Sequence, residues 1–328
     1  MTVDFSPTAV ILAAGLGTRL RPLSYQVPKP LFPIINRPLL GLILAQLHAA
    51  GFRRVAINTH HRADEIKAFL EANTPIELEI YLSYEPVILG TAGGIRQLAG
   101  FLGETPFLVI NGDIVTDLDL AATYQAHHPE ALATLVLHDY PRFNNVWLSQ
   151  SDRIAAFGPA RLPMSTAPPL AFTGVQVISP RLFNYIAPGL FVNIIDVYRQ
   201  AMAAGEAVAA HREEGFYWQD IGTPQDYLEI HRRLLAGELP VLANFLPPLT
   251  DPFLDAGAVL GPRVCCDGGV CLGAGVRVGE EAYLKNTVLW ADTIVDPGVR
   301  LVDCLVGQGV RVRDSAVART LTGGPEPS

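Results

Sequence analysis

The chain has 328 residues, of which 49% are apolar and 17% charged, a balance that excludes a disordered chain and allows a large core. Its length exceeds one small domain and fits two. The net charge of -8 argues against nucleic acid as the main partner, because phosphate backbones recruit basic surfaces, but it leaves room for a local basic pocket.

No N-terminal leader pattern and no run of about 20 uninterrupted apolar residues stands out. No membrane span and a cytoplasmic location are therefore expected. The four cysteines, Cys265, Cys266, Cys271 and Cys304, lack zinc-ligand spacing. They are expected as small apolar residues of a core.

Strands and helices alternate along the first part. The spacing predicts strands at 9–15, 54–60, 77–84 and 106–113, with helices at 37–51, 63–73 and 91–103 between them. That rhythm signals βαβ units. It implies an α/β fold with a Rossmann-like, mixed but mostly parallel sheet flanked by helices. After about residue 130 the strands meander through "LATLVLH", "NVWLS", "RIAAF" and "AFTGVQVIS", read as a mixed edge with a substrate-covering section. A helix over 223–237, capped by Thr223 and stopped by Gly237, closes the domain.

Residues 238–252 are proline-rich and aperiodic, as in a linker. Beyond them a six-residue rhythm begins. An aliphatic residue opens each unit at 258, 264, 270, 276, 282, 288, 294, 299, 305 and 310. One inward apolar residue per short strand, with glycine at the corners, predicts a parallel β-helix of about three coils. It resembles the left-handed β-helix of hexapeptide-repeat proteins.

The chemistry-bearing stretch is "ILAAGLGTRLRPLSYQVPKPLFPI", Ile11 to Ile34. It lacks the third glycine of a dinucleotide fingerprint and the G-K-[ST] of a Walker loop. What remains is a strand-to-loop turn in which Gly15 and Gly17 expose backbone N–H groups to an anion. Thr18 and Arg19 add a hydroxyl and a guanidinium suited to phosphate oxygens. Lys29 is held between two prolines, which aim its ammonium.

"LAAGLGTRLRPLSYQVPKPL" resembles the signature of the sugar-1-phosphate nucleotidyltransferases, or NDP-sugar pyrophosphorylases. "EPVILGTAGGI" (85–95) is similar to the family's base-reading loop, "VINGDIVTD" (109–117) to its metal-aspartate motif, and "FYWQDIGTPQDYLEIHRRLL" (216–235) to its second metal-aspartate segment. The hexapeptide tail is similar to that of many mannose-1-phosphate guanylyltransferases. The resemblance implies a catalytic domain over 1–237, a linker over 238–252, a β-helix over 253–320 and a flexible tail over 321–328.

The family reaction joins a nucleoside triphosphate to a sugar 1-phosphate with loss of pyrophosphate. The resemblance implies Arg19, Lys29 and Asp113 as catalytic residues, and Asp113 and Asp220 as Mg²⁺ ligands. It places the nucleotide near Leu12, Ala13, Gly15, Gly17, Thr18, Glu85, Gly90, Thr91, Asn111 and Gly112. Phe172, Thr173 and Gly174, with Asn144 and Asn145, are candidates for the sugar; for the two asparagines a simple turn role stays equally open. A homo-oligomer is expected, formed through the β-helix, so truncation near residue 245 is expected to change assembly more than chemistry.

One departure matters. Many relatives carry E-K-P in mid-domain, with the lysine on the sugar phosphate. Here 153–163 reads "RIAAFGPARLP", without a lysine, and Arg161 is the substitute on offer. A subgroup acting on N-acetylmuramate 1-phosphate shares that lack. GTP with mannose 1-phosphate is the preferred pair, and UTP or dTTP with a glucose-type or N-acetylated sugar phosphate the alternative. A non-catalytic nucleotide-sugar sensor would be expected to lose Arg19, Lys29 or an aspartate, and all are present. An acyltransferase tail would need a histidine in the coils, but the last histidine is His231.

Overall fold

Strand β1 (Thr8–Leu12) lies in the interior of the first sheet, and its Ala9, Val10 and Ile11 are buried on both faces, as a strand covered on both sides must be. The computed structural model describes residues 7–74, 77–149, 151–159 and 168–323. By mutual contact the chain divides into two units. Met1–Gly15, Leu44–Ile114 and Leu118–Trp218 form the first, and Leu16–Ile43, Val115–Asp117 and Gln219–Ser328 the second.

In the first unit β1 is joined by β2 (Arg54–Thr59), β3 (Glu79–Tyr84), β4 (Phe107–Asn111), β5 (Ala133–His138), β6 (Ala171–Ile178) and β7 (Val208–Arg212). The order is β7-β5-β6-β4-β1-β2-β3. All pairs are parallel except those of β6, which runs antiparallel to β4 and β5. The mostly parallel sheet expected from the βαβ rhythm is therefore present. Strand β7 had no clear signal in the sequence, because its residues Val-Ala-Ala-His-Arg carry a single large aliphatic side chain.

Helix α1 (Leu39–Ala49) carries the chain from the second unit into the first, and α2 (Ala63–Asn73) links β2 to β3. The helix expected over 91–103 is two: α3 (Gly90–Gln97) and a turn at Ala99–Leu102. Helix α4 (Ile194–Ala203) precedes β7, its start capped by the Asn193 side chain. Val10, Ala56, Ile95, Phe107, Val109, Leu135, Val197 and Tyr198 belong to one buried core. The buried Tyr198 hydroxyl donates to Gln176 Oε1 at 2.6 Å, so the burial leaves that polar group satisfied.

The second unit holds helix α5 (Pro224–Leu235) and the C-terminal coils. Proline at the first helical position and Thr223 accepting the Asp226 N–H at 3.1 Å start α5 where expected. The 238–252 segment is not wholly irregular: Pro240–Ala243 forms a helical turn with Leu242 buried.

From Phe253 to Leu321 two- and three-residue strands stack in parallel sheets of five, four and four, the left-handed β-helix read from the hexads. One face stacks five strands, so the coils outnumber the expected three. The inward frame also differs at three places: Val288, Ile294 and Leu305 were expected to point inward, but the inward positions fall one residue earlier, on Thr287, Thr293 and Cys304. Ile294 is 38% exposed, and Thr293 is fully buried. The single hydroxyl proton of Thr293 is shared between Trp290 O at 2.8 Å and Gly307 O at 3.1 Å, which is how a polar residue takes an apolar position. Thr320–Leu321 pairs as the last strand, and residues 324–328 lie outside the described ones. Among the described residues no helix is long and apolar enough to cross a membrane.

Candidate active site

In the second unit the glycine turn and the two cationic side chains are built by short-range geometry. Gly17 has φ 61°, and a Cβ there would stand 3.1 Å from Ser24 Cβ and 3.5 Å from Lys29 Cβ. The turn thus packs tightly against Ser24, with the Lys29 stem at ordinary contact distance, and its left-handed backbone is one that glycine takes at no cost. Thr18–Leu20 follows as one 3₁₀ turn, closed by the Leu20 N–H on Gly17 O at 3.0 Å. Lys29 opens a second such turn, with the Phe32 N–H on Lys29 O at 3.0 Å.

Arg19 Nη2 lies 3.5 Å from Asp220 Oδ2, with side-chain exposures of 58% and 14%. The guanidinium is anchored at one edge while most of it faces solvent, as a phosphate-binding arginine requires. Gly222 makes this possible. A Cβ there would be 2.6 Å from Asp220 Oδ2 and 3.0 Å from Arg19 Nη1. The sequence offered no reason to single out Gly222, because only the fold returns its backbone to Arg19.

In the first unit the carboxyl ends of three parallel strands come into register. Leu12 of β1 faces Asn58 of β2 on one side and Asn111 of β4 on the other. The Gly112 N–H donates to Leu12 O at 2.8 Å, and a Cβ on Gly112 would stand 2.9 Å from that oxygen. Glycine therefore lets the "NGD" turn, which carries Asp113, fold over the end of β1. Open α/β sheets bind their ligands at this edge.

A buried polar chain fixes the same edge. The Ala13 N–H donates to Asn58 Oδ1 at 2.8 Å, Asn58 Nδ2 donates to Glu85 Oε1 at 2.7 Å, and the Leu89 N–H donates to Glu85 Oε2 at 2.8 Å. Glu85 is 1% exposed, so its carboxylate is compensated by donors rather than by water. Gly94 packs α3 over this pair, since a Cβ would meet Asn58 Nδ2 at 2.5 Å and Glu85 Oε1 at 2.6 Å. Asn58 was missed by motif reading: it lies in an ordinary strand, and only strand register brings it to Ala13.

Other candidates have their polar atoms engaged within the unit. Thr91 Oγ1 accepts the Ile194 N–H at 2.8 Å, and Gly90, at φ 71°, passes under Val192 O. Thr173 donates its hydroxyl to Val136 O at 2.9 Å across the bulge between β5 and β6. Gly174 takes φ 77° there and approaches the Asn111 side chain, 2.5 Å from its Nδ2 to an added Cβ. Asn144 holds a turn, accepting the Tyr140 N–H at 2.9 Å and donating to Asp139 at 2.7 Å, while Asn145 is exposed. Arg161 lies outside the described residues.

Beside Thr173, Trp218 Nε1 donates to Thr173 O at 2.8 Å. His138, Tyr140, Phe143, Phe216 and Trp218 form an aromatic cluster with ring centroids 5.0 to 6.0 Å apart. Burial holds the His138 imidazole below the ordinary histidine range, so its neutral form is favoured.

The nucleotidyl transferase family model matches residues 8–154 and 163–237. Over 297 residues the chain is 30% identical to the mannose-1-phosphate guanylyltransferase of Mycobacterium tuberculosis, covering 88% of this chain and 81% of that one. It is 34% identical over 226 residues to the N-acetylmuramate alpha-1-phosphate uridylyltransferase of Neisseria meningitidis, covering 66% and 93%. The crystal structure of HddC from Yersinia pseudotuberculosis complexed with GMP-PN superposes with a TM-score of 0.59 at 22% identity, covering 68% and 97%, a likeness of fold.

Proposed function

The chain belongs to the nucleotidyl transferase family, and from that premise we propose that it transfers a nucleoside monophosphate from a triphosphate to a sugar 1-phosphate, releasing pyrophosphate. The observation that carries this reading is the Arg19–Asp220 pair beside the open Gly222, with Lys29 against the Gly17 turn. A phosphate oxygen of the sugar phosphate attacks the α-phosphorus, and the bond to the β-phosphate breaks. That nucleophile is already ionised at neutral pH, so no general base is required. The obstacle is repulsion between anions, and catalysis is chiefly positioning and charge neutralisation.

Arg19 holds the β- and γ-phosphates and stabilises the departing pyrophosphate. Lys29 neutralises the α-phosphate and the incoming sugar phosphate. The backbone of Leu12, Ala13, Gly15, Gly17 and Thr18 takes the nucleotide, with Glu85, Gly90, Thr91, Asn111 and Gly112 shaping its surroundings. Thr173, Gly174, Asn144 and Asn145 serve the sugar, by backbone groups where their side chains are committed.

Asp113 and Asp220 are the proposed donors to Mg²⁺. Hard carboxylate oxygens suit it, and the missing Cβ of Gly222 keeps space clear beside Asp220 Oδ2. Among the described residues no three acidic, histidine or cysteine side chains gather as a metal cage, so phosphate and water would complete the coordination. When bound, the ion supplies positive charge to the phosphates.

GTP and mannose 1-phosphate are the preferred pair, supported by the guanylyltransferase likeness over 88% of the chain. One observation favours a second reading, UTP with an N-acetylated sugar 1-phosphate. No lysine stands between Lys67 and Lys285, so the E-K-P lysine is absent, and the uridylyltransferase likeness reaches 34% identity. The catalytic function is proposed for residues 1–237, in a cytoplasmic homo-oligomer assembled through the coils. A pyrophosphate-release screen of the common triphosphates against a panel of sugar 1-phosphates tests the activity and the substrate pair. Release with one pair is expected, and no release with any pair rejects the activity.

A further inference from the structure

The three faces of the β-helix are unequal. On the face of Phe253–Leu254, Cys271–Leu272, Val288–Leu289 and Leu305–Val306, the residues pointing away from the coil interior include Cys271, Val288 and Leu305, each at most 1% exposed. The equivalent outward residues of the next face are Val259, Arg277, Ile294 and Arg311, all exposed. An apolar, fully covered outer face means the coil packs against something along its length.

Within the second unit the covering residues come from the segment around Lys29, from Leu23 to Asn36, together with α5. Phe32, fully buried, stands edge-on to Trp290 at 5.0 Å and to Tyr227 at 6.0 Å. Trp290 Nε1 donates to the Tyr227 hydroxyl at 3.2 Å, and that hydroxyl donates to Pro33 O. The Ile35 N–H donates to His231 Nε2 at 3.2 Å, while His231 Nδ1 lies 2.9 Å from Tyr227 O. Those two contacts define the neutral tautomer with its proton on Nδ1. Asn36 Nδ2 donates to Leu272 O of the coil at 2.9 Å. Gly307 has no Cβ where one would stand 2.6 Å from Gln26 Oε1 and 3.1 Å from Leu23 Cδ2.

We propose that the β-helix clamps the segment bearing Arg19 and Lys29, with Asn36, Tyr227, His231 and Trp290 as positioning residues for Lys29. The segment has little structure of its own, only three- and four-residue turns and a two-residue hairpin. Its hairpin tip holds Ile35 at φ 45° and Asn36 at φ 59°, a conformation costly for a β-branched residue unless its surroundings enforce it. Phe32 shares the 3₁₀ turn of Lys29 through the hydrogen bond to Lys29 O, so a shift of Phe32 moves the ammonium. Displacing a catalytic group by an ångström costs up to about a hundredfold in rate. The coils therefore act on chemistry, and losing them costs turnover as well as assembly.

The inference rests on the role of Lys29 proposed above, and its test separates the two. In the full chain, Asn36→Asp keeps the left-handed turn but cannot donate to Leu272 O, and Trp290→Phe keeps packing on Phe32 but loses the bond to Tyr227. Hydrogen exchange of the amides of 29–38 is expected to rise at least tenfold in both variants, while Arg311→Ala on the exposed face leaves it unchanged. Turnover in Asn36→Asp is expected to fall about ten- to a hundredfold. In a Lys29→Ala background the same change is expected to cost less than twofold, because Asn36 acts through Lys29. Unchanged exchange at 29–38 overturns the clamp, and an equal rate loss in both backgrounds overturns the positioning role. Should the parent chain turn over no substrate pair, the nucleotidyl-transfer reading fails while the exchange experiment still decides the clamp. Should Trp290→Phe not fold, Asn36→Asp decides alone.

Discussion

The carboxyl edge of the first sheet and the Arg19–Lys29 segment both contribute proposed site residues, but they are held in place by different physics. The sheet edge is pinned locally. Leu12, Asn58 and Asn111 stand side by side through continuous parallel ladders, and the Asn58–Glu85 chain locks the edge from within. The Arg19–Lys29 segment has almost no ladder. Its position depends on side chains from residues 220, 227, 231 and 290, far along the chain. Backbone pairing gives a site rigidity wherever strands run, whereas a loop bearing catalytic cations borrows it from whatever packs behind it.

Removing a cation tests the borrowed side most severely. Lys29→Ala is expected to lower kcat by about 10²–10³-fold, as when one charge-stabilising donor is removed from an active site, with the melting temperature unchanged. Steady-state kinetics beside a thermal melt check both, and near-parental turnover would remove Lys29 from the mechanism.

Acid is the next strongest probe. Burial lowers the His231 pKa from 6.5 to about 4. Below pH 6.5 the unfolded chain takes up this proton and the folded chain does not. His231 therefore contributes its full stability above that pH and loses it as pH falls toward 4, by about 3 kcal/mol in total. Urea titrations across that window should show the decline in the parent and a shallower one in His231→Gln.

The sheet edge is broken instead by volume. Gly94→Ala places a Cβ against Asn58 and Glu85 and is expected to destabilise the fold by about 1–3 kcal/mol, read as a lower midpoint in the same titrations. A smaller loss would mean that the helix over this edge yields more than its packing suggests. The mildest case lies away from both regions. Arg199 and Asp196 pair at 2.8 Å on an exposed helix face, and Arg199→Ala is expected to change stability by less than about 0.5 kcal/mol.

Much of the fold was legible because its signals are short-range. The β1 run, the α2 periodicity, the Thr223–Pro224 start of α5 and the hexad rhythm each declare themselves within a dozen residues. The failures were equally physical. β7 was missed because small residues suffice beside β5. Thr293 was overlooked as an inward residue because its hydroxyl finds partners inside the coil. The candidate site divided along the same line. Gly17, Arg19, Lys29 and Asp113 stand in dense local motifs; Gly222 and Tyr227 lie in the 216–235 segment, whose pattern points to Asp220 and not to them, and Asn58 and Trp290 carry no pattern of their own.

By itself the sequence determined the kind of chain this is: alternating βα units, a six-residue repeat, and a glycine turn flanked by cations suited to phosphate. Periodicity and turn chemistry act between near neighbours, so they survive in one dimension. The tertiary structure alone decided that Asp220 meets Arg19 and that an outer face of the coil is buried by the residues around Lys29. Those contacts join positions nearly 200 residues or more apart, and no local preference can encode a meeting that depends on how every intervening element packs.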